Sequence, residues 1–536
     1  MNEIKRYAFL KSRGAEIIPA FILPNGDTQP LHSMIDPVRE AERLISSSSN
    51  NDFLIFLGLG GGFAPLAALE KTNARVVVID FNKSEIEELL AGKDYSKLLS
   101  SDRFNLLVDF SAQKIKTFIL ENFNPCLYSG IKTIPLRTRI DQDTAKFDSV
   151  TVIIKEAIED VSGDYSVQAH FGLRWFSNII RNIKRAENQD SNILSEFKKR
   201  RITNAAIAAA GPSLDAQLPS LLKFKSQGGF IISSDTALGA LLHNGIEPDV
   251  VVNIDCQHIS YFHFAGLNMR HIPLVLDIAS PPLLGDLSHA PIFFSSGHPL
   301  CLYLNSNWKH FPHLDTSGGN VTYACLSLAE SLGSQNITLF GADFSYIKNR
   351  TYARGTYIYP YFYKTQNRLS SLEAQMSRFL YRSPFLPQEN EHKDYYETSQ
   401  LRFYRQRLEE KVLSMRANVT CEPGNGAPIN LKRAVGITQA SDNGNIEFEN
   451  NGKGLNIYGN DFLRIYKNDI LSLPEAGEKE NYLLKLNKKE RQIFTTLLPF
   501  AAAVKKRNAH LEFKELITEV KRRSAEKIDS VLKISV

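Results

Sequence analysis

The segment best suited to chemistry runs Ala-Ala-Ala-Gly-Pro-Ser-Leu-Asp from Ala208 to Asp215. An apolar run ends there, Gly211 turns the chain, and Pro212 suits the first turn of a helix, where its missing N–H would be unpaired anyway. Free backbone N–H groups at such a helix start attract anions, and Ser213 adds a hydroxyl donor. The segment therefore predicts a phosphate site, with an ordinary strand-to-helix turn as the alternative.

Two carboxylates follow other apolar runs in the same region. Asp235 and Thr236 come after the run 230–233, and Asp255 directly follows the run 250–254. Ligands of open α/β sheets bind beyond the carboxyl ends of the strands, so both acids are candidates for a site. The alternatives are a helix N-cap for Asp235 and a loop cap for Asp255.

A third region combines glycines, tyrosines and arginines. Gly318 and Gly319 come shortly before a helical pattern, in a segment that ends at Thr322, and this is typical of an anion-binding nest. Further along, a strand ends in Gly-Ala-Asp-Phe-Ser-Tyr, and several hydrogen-bond donors follow that suit phosphate oxygens. These residues are Gly341, Asp343, Tyr346, Arg350, Tyr352 and Arg354. The alternative for the tyrosines is an aromatic loop that contacts protein.

Alternating strands and helices must position these residues. Near-continuous apolar runs separated by helical segments are typical of a buried, largely parallel sheet. The expected strands are 205–210, 230–233, 250–254, 274–278, 292–295 and 337–340, and the expected helices are 214–226, 236–244 and 321–332. The predicted fold class is therefore α/β, with a central Rossmann-like and mostly parallel sheet.

A smaller α/β pattern precedes this region. Residues 53–57 and 75–80 indicate strands, residues 64–71 indicate a helix, and residues 58–62 read Gly-Leu-Gly-Gly-Gly. Phe63 stands where a dinucleotide-binding fingerprint has its third glycine. A tight turn within a doubly wound sheet is therefore weighed against an NAD or S-adenosylmethionine site.

The composition is that of a globular protein with several domains. The chain has 536 residues, of which 43% are hydrophobic and 23% charged, and this excludes global disorder. No apolar run reaches the length of about 18 residues that a spanning helix needs, and residues 1–6 lack the apolar region of a signal peptide. The five scattered cysteines fit neither a disulfide framework nor a zinc site, so a reducing, cytoplasmic location is expected.

As an ordered set, the motifs resemble those of the motility-associated factor (Maf) family of flagellin glycosyltransferases. The central domain of that family is also described as 6-hydroxymethylpterin pyrophosphokinase-like. The set comprises residues 211–214, 234–238, 248–255, 317–319 and 341–346, and the resemblance covers about residues 150–435. The Gly-Pro-Ser-Leu and Gly-x-Asp-Phe segments are also similar to bacterial sialyltransferases that use CMP-sialic acid, although Ala209 and Ala210 replace the Gly-Asn of that turn.

The resemblance implies a cytoplasmic protein O-glycosyltransferase that is needed for flagellar assembly and motility. It would transfer a nonulosonic acid, of the pseudaminic or legionaminic acid type, from a CMP-activated donor to Ser or Thr of flagellin. Its partners would be the donor and the flagellin acceptor, with no nucleic acid, no membrane span and no tightly bound cofactor. A requirement for Mg²⁺, the metal ligands and the formation of a homo-oligomer stay open.

The resemblance also implies roles for particular residues. Those expected to bind the nucleotide are Gly211, Pro212, Ser213, Leu214, Asp235, Thr236, Gly318, Gly319, Thr322 and Gly341. Tyr346 and Tyr352 would stabilise the departing phosphate. The base that takes the acceptor proton would be Asp255, Asp343 or His392, and an exposed loop histidine is the alternative for His392. Two further histidines, His258 and His263, could enter the same cleft.

Two other functions are weighed against this one. A pyrophosphokinase would move diphosphate from ATP to a 6-hydroxymethylpterin and would need Mg²⁺ held by carboxylates such as Asp235 or Asp255. A non-catalytic flagellin-binding module would leave the nucleotide cleft empty. The additional N- and C-terminal regions favour the glycosyltransferase, because a protein acceptor needs a docking surface and a pterin does not.

Three domains are expected along the chain. Residues 1–150 would form an α/β domain with the Gly-rich turn, residues 151–435 the central Rossmann-like glycosyltransferase domain, and residues 436–536 a mainly helical, basic domain. From residue 484 to the end, 13 Lys and Arg stand against 6 Asp and Glu, a net charge of +7. This basic region would meet an acidic partner, with a solvated helix face as the alternative.

Overall fold

The computed structural model describes residues 6–49, 52–187, 202–386, 395–431, 457–477 and 482–534. The chain forms two compact units, one from residues 1–173 with 467–526 and the other from residues 174–466 with 527–536. The division into three domains stays a prediction, and its boundary near residue 435 lies outside the described residues.

The first unit contains two small sheets. An antiparallel sheet consists of β1 (Tyr7–Lys11), β2 (Ile17–Ile22) and β3 (Thr28–Pro30). A parallel sheet consists of β4 (Phe53–Leu57), β5 (Arg75–Asp80), β6 (Phe104–Val108) and β7 (Ile131–Pro135), in the order β6-β5-β4-β7. The helices of this region are α1 (Pro37–Ile45), α2 (Phe63–Lys71), α3 (Lys83–Gly92), α4 (Ser96–Leu99), α5 (Ala112–Asn122) and α6 (Arg137–Ile140). Strands β4 and β5 have the predicted bounds.

Side chains of the protein fill the Gly-rich turn that follows β4. Gly58 has a φ of +99°, and a Cβ built on it would lie 2.8 Å from Cγ of Arg139. The carboxylate of Asp80, at the end of β5, accepts hydrogen bonds from Leu59 N–H at 2.8 Å and from Arg139 Nε at 2.9 Å. In a dinucleotide site, the Asp80 carboxylate would bind the ribose, but here it is hydrogen-bonded to the chain itself. The segment therefore has the geometry of a tight turn.

The second unit is built on a seven-stranded sheet. Its strands are β8 (Asn204–Ala208), β9 (Phe230–Ser234), β10 (Val250–Asn253), β11 (Leu274–Asp277), β12 (Pro291–Phe294), β13 (Asn336–Phe340) and β16 (Asn418–Cys421), while β14 (Tyr346–Ile347) and β15 (Tyr395–Tyr396) form a separate antiparallel pair. All neighbouring strands of the large sheet are parallel. The α/β class and the six expected strands are confirmed. The sequence pattern missed β16 because only one residue of this edge strand is buried.

Helices follow most of these strands. A long helix, α7 (Thr144–Glu187), supplies residues to both units. The other helices are α8 (Leu214–Ser226), α9 (Asp235–His243), α10 (Pro299–Asn307), α11 (Val321–Ser331), α12 (Ile358–Thr365), α13 (Leu372–Leu380) and α14 (Ser399–Ser414), with a 3₁₀ helix at His258–His263. Helix α11 packs against β8, β9 and β10, and eight consecutive residues from Thr322 to Ala329 are buried there.

The C-terminal region is helical, as predicted. It contains α15 (Gly459–Ser472), α16 (Tyr482–Lys485), α17 (Lys488–Arg507) and α18 (Phe513–Ile534). Helix α17 begins with a capping box, in which Asn487 and Glu490 bond each other's backbone N–H groups. Within the described residues, none of the helices is long and apolar enough to cross a bilayer.

The direction in which strands are added to the large sheet reverses at β8. The sheet has the order β12-β11-β10-β9-β8-β13-β16, so β9 to β12 lie on one side of β8 and β13 lies on the other. Open α/β sheets form their ligand crevice beyond the carboxyl ends of the strands at such a topological switch point. The loops after β8 and β13 carry the motifs around Gly211 and Gly341.

Candidate functional site

A cavity of about 280 Å³ lies at this switch point. Its wall is formed by the loops after β8 and β13, by the starts of α9, α11 and α14, and by Arg382 and Ser383, which follow α13. Seven of the predicted site residues line it, namely Gly211, Thr236, Thr322, Gly341, Asp343, Tyr346 and Tyr352. The structure therefore brings residues from all three sequence motifs into one cavity.

Three helix N-termini border the cavity. The N-cap side chains of α9, α11 and α14 each accept a hydrogen bond from a backbone N–H in the first turn, and they are Ser234, Asn320 and Thr398. Each N-terminus carries a partial positive charge that favours anions. Because Ser234 is the N-cap of α9, Asp235 stands in the first helical turn and does not fill the cap position.

The start of α8 is closed by groups of the protein. Ser213 N–H donates to Asp343 Oδ2 at 2.8 Å, and Ser213 Oγ accepts from Asn425 N–H at 3.0 Å. A Cβ built on Gly211 would lie 2.4 Å from the same oxygen of Asp343, so this position needs glycine for the contact between two loops. Burial raises the pKa of Asp343, although the hydrogen bond from Ser213 opposes this rise. Pro212, Ser213 and Leu214 do not line the cavity.

Asp235 lies behind the cavity wall in a network of hydrogen bonds. Its Oδ1 accepts from the backbone N–H and the hydroxyl of Thr236, and its Oδ2 accepts from Asn253 Nδ2 at 2.6 Å. The same Oδ2 lies 3.0 Å from Nδ1 of His263. Burial opposes ionisation, but His263, Asn253 and Thr236 together hold the pKa of Asp235 below its usual range. The charged carboxylate thus fixes Thr236 at the cavity wall.

Of the two candidate bases that the structure describes, Asp343 lines the cavity and Asp255 does not. Asp255 is partly exposed beyond the end of β10, where one of its oxygens accepts a hydrogen bond from Gln257 N–H at 2.9 Å. Burial raises the pKa of Asp255, which moves this carboxyl towards the range in which a general base works near neutral pH. His392 lies outside the described residues. Among the described residues, no group of three or more His, Cys, Asp or Glu is arranged to hold a metal ion.

The two tyrosines stand on the loop after β13. Burial raises the pKa of Tyr352, so its hydroxyl stays protonated and able to donate a hydrogen bond. Tyr346 is buried in the short strand β14. Ala353 N–H donates to the carbonyl of Ala210 at 2.9 Å, and this bond ties the tyrosine loop to the loop after β8.

Three further predicted residues, Gly318, Gly319 and Arg350, are not among those that line the cavity. Gly319 has a φ of +71°, and a Cβ built on it would lie 3.1 Å from the ring of Tyr404, which lines the cavity. Gly318 packs against the ring of Tyr323 in the same way. Arg350 forms an ion pair with Asp215 in the first turn of α8, so its charge is already compensated.

Arg382, Gln400 and Tyr404 are among the polar residues of the cavity wall that the sequence did not point to. Arg382 stacks over the ring of Phe379, with 4.0 Å between guanidinium carbon and ring centroid, and forms no ion pair with the described residues. Gln400 and Tyr404 lie one turn apart on α14, and the Gln400 amide donates to the Tyr404 hydroxyl. No sequence motif marks these residues. The only signal would have been the spacing of Gln400 and Tyr404 on a polar helix.

The second unit is a parallel α/β sheet with a cavity at its topological switch point, the place where open α/β sheets commonly bind their ligands. Residues 177–349 match the family model described as 6-hydroxymethylpterin diphosphokinase MptE-like, so the centre of the chain is an MptE-like domain. The 6-hydroxymethyl-7,8-dihydropterin pyrophosphokinase of Pyrococcus furiosus is 30% identical over 170 residues, which cover 30% of this chain and 64% of that enzyme. The predicted resemblance to pterin pyrophosphokinases is confirmed for this domain.

The fold of the whole chain is similar to that of a solved glycosyltransferase. The MAf glycosyltransferase from Magnetospirillum magneticum AMB-1 matches with a TM-score of 0.58 at 14% identity, over 98% of this chain and 92% of that chain. An uncharacterised protein of Treponema pallidum is 42% identical over 93 residues, which are 17% of this chain and 33% of that protein. The chain thus spans about a third of that relative and less than two thirds of the Pyrococcus enzyme. The resemblance to Maf proteins is confirmed at the level of the fold.

Proposed function

We propose that the protein is a glycosyltransferase that moves a nonulosonic acid from a CMP-activated donor to Ser or Thr of flagellin. The observation that carries the proposal is the cavity at the switch point, where three helix N-termini and two tyrosines meet Arg382, which pairs with none of the acids that the structure describes. Support comes from the fold, which resembles a Maf glycosyltransferase over nearly the full chain.

The donor would bind with its phosphate among the helix starts. Thr322 offers a hydroxyl and a backbone N–H at the start of α11, whereas the N–H and hydroxyl of Thr236 at the start of α9 already bond Asp235. Arg382 supplies a full positive charge, and charge-assisted hydrogen bonds to phosphate are about twice as strong as neutral ones. Because the start of α8 already holds the Asp343 carboxylate, the residues 211–214 would support the cavity wall and would not hold the phosphate directly.

The transfer step follows from this arrangement. The acceptor hydroxyl loses its proton to a base as its oxygen bonds the anomeric carbon. The bond from that carbon to the phosphate oxygen breaks, and its electron pair leaves with CMP through an oxocarbenium-like transition state. Tyr346, Tyr352 and Arg382 would stabilise the departing phosphate. The base would be Asp255, Asp343 or His392, and of the two described candidates Asp343 lines the cavity while Asp255 lies beyond the end of β10.

Calorimetry with CMP, CTP and ATP, each with and without Mg²⁺, tests the proposal. We expect preferential binding of CMP or CTP, and Arg382→Ala should weaken it tenfold or more. Lys223→Ala is the matched control, because Lys223 is exposed in the last turn of α8 at the opposite end of that helix. Transfer of the sugar to purified flagellin, followed by intact-protein mass spectrometry, then tests the reaction. Binding of CMP without any transfer would contradict the proposed reaction.

A pyrophosphokinase acting on a 6-hydroxymethylpterin is the second candidate. It is supported by the MptE-like domain and by the identity to the Pyrococcus enzyme. Preferential, Mg²⁺-dependent binding of ATP in the same calorimetric experiment would favour this reaction over sugar transfer. If the protein binds flagellin and none of the nucleotides, the non-catalytic flagellin-binding module is the correct function.

A further inference from the structure

An aromatic surface connects the cavity with solvent. Helices α12 and α13 pack against each other, and we call residues 358–386, which contain both helices, the aromatic hairpin. From Tyr352 in the cavity wall, ring contacts continue through Phe379 at 6.2 Å and Phe362 at 6.0 Å. From Phe362, the ring contacts continue to Tyr361 and then to Phe262, whose side chain is 41% exposed. The cavity and the surface are thus parts of one continuous aromatic cluster.

The outer side of the aromatic hairpin exposes large apolar residues. Tyr363 is 67% exposed, Leu369 is 95% exposed, and Tyr381 is 60% exposed. Three large exposed apolar residues fall within this one short segment, whereas single exposed residues scattered over a surface carry no such meaning. Aromatic residues and arginine are also the residue types that are enriched in protein–protein interfaces.

The aromatic hairpin carries an excess of positive charge. Its exposed cations Lys364, Arg368, Arg378 and Arg382 form no ion pair with the described residues, and the only acid among residues 358–386 is Glu373. On the neighbouring helix α14, by contrast, Arg402, Arg405 and Arg407 each pair with a glutamate. Apart from Arg382, which faces the cavity, three exposed cations share this segment with exposed apolar side chains, and such a surface is complementary to an acidic polypeptide.

We propose that the aromatic hairpin is the docking surface for the protein acceptor, and that it takes an acidic segment next to the hydroxyl that is glycosylated. This inference rests on the proposed function and adds the acceptor's chemistry to it. The continuity of the rings from the cavity wall to the surface would bring a docked segment to the donor. Exposed cations and exposed apolar side chains in one short segment favour a polypeptide with both acidic and apolar side chains.

The double variant Tyr363→Ala/Arg368→Glu tests the docking surface, because neither residue lines the cavity. Its matched control is Leu222→Ala/Lys223→Glu, which changes one exposed apolar residue and one exposed cation on α8. Hydrolysis of the donor by water, transfer to flagellin and direct binding to immobilised flagellin are measured for wild type and both variants. Thermal unfolding midpoints verify that all three proteins are folded.

We expect the hairpin variant to raise KM for flagellin and the Kd of flagellin binding tenfold or more. Donor hydrolysis and CMP binding should stay within twofold of wild type, and the control should match wild type throughout. Flagellin binding by wild type should weaken as salt increases, because exposed charges are screened within about 10 Å at 0.1 M salt.

Several outcomes would overturn the docking surface. For the hairpin variant, these are unchanged flagellin binding, or a loss of donor hydrolysis as large as the loss of flagellin transfer. For wild type, they are the absence of flagellin binding, or a dimer that the variant converts to a monomer. The proposed function fails separately, through the absence of CMP binding and donor turnover in wild type. Even then, the binding measurement alone decides whether the aromatic hairpin holds flagellin.

Discussion

At the scale of single residues, the contact between Gly211 and Asp343 explains the strongest sequence motif. The sequence of the motif predicts a phosphate site, because a glycine at the start of a helix commonly binds an anion. In the structure, a carboxylate of the same chain bonds the N–H of Ser213 at that helix start. The glycine is required there because any larger residue would collide with Asp343. The predicted nucleotide role of Ser213 stays a prediction, and the structure adds this internal role.

Asp277 gives a prediction for stability that depends on pH. Burial raises the pKa of this carboxyl to about 6, so the folded state keeps a proton that the unfolded state loses above about pH 4. Stability therefore falls as the pH rises through this window. Two pKa units correspond to about 3 kcal/mol. The variant Asp277→Asn lacks this pH-dependent contribution to stability, because an amide side chain does not titrate in this range.

Urea unfolding of wild type and Asp277→Asn at several pH values measures the effect. The free energy of unfolding of wild type minus that of the variant should decrease by up to about 3 kcal/mol between about pH 4 and pH 7. It should then stay constant at higher pH. A difference that does not change with pH would contradict the assignment.

At the scale of elements, the start of α8 depends on a strand that the sequence pattern did not reveal. The Gln217 amide donates to the carbonyls of Glu422 and Pro423, which follow β16. Its Oε1 accepts from Gly341 N–H at 2.7 Å. Helix α8 therefore joins the loops after β13 and β16, and this junction holds the cavity wall in place.

Replacing Gln217 by Ala should weaken this junction. The variant leaves the buried Gly341 N–H without its partner, which costs about 1–3 kcal/mol of stability. Because Gly341 lines the cavity, the affinity for CMP should also decrease. Urea unfolding and calorimetry measure the two effects. Gln227→Ala, at the exposed end of the same helix, should change stability by less than about 0.5 kcal/mol and leave CMP binding unchanged.

At the scale of the whole molecule, the chain divides into two compact units, and each has its own buried polar centre. The first unit buries Arg139, which pairs with Asp80 at 2.9 Å and with Asp143 at 2.7 Å. The second unit contains the cavity at the switch point. A ligand of the cavity and a change at Arg139 should therefore act on different units.

Scanning calorimetry of wild type and Arg139→Leu tests this separation. The variant leaves the Asp80 carboxylate buried and unpaired, and breaking a buried pair in this way costs about 3–5 kcal/mol. We expect the unfolding midpoint of the first unit to decrease, while CMP raises the midpoint of the second unit in both proteins. If CMP and Arg139→Leu shift one common transition, the two units unfold together and the expectation is wrong.

The sequence alone predicted the elements of the second unit well. Strands of a parallel sheet are buried on both faces, so they appear as continuous apolar runs, and six of the seven strands of the large sheet were found in this way. Residues at the ends of these strands could then be named as candidates, because ligands bind at the carboxyl edge of such sheets. The exception, β16, has a single buried residue and leaves no apolar run.

Only the tertiary structure decided which of those polar groups face the cavity. Ser213 and Asp343 are 130 residues apart in the sequence, yet they bond each other and withdraw one carboxylate and one helix start from a ligand. Arg382 reaches the cavity from the turn that follows α13, a segment that carries no motif. Local patterns of apolar residues determine strands and helices, because burial repeats along the chain. Hydrogen bonds between distant segments leave no such repeat, so folding alone determines which donors and acceptors remain free.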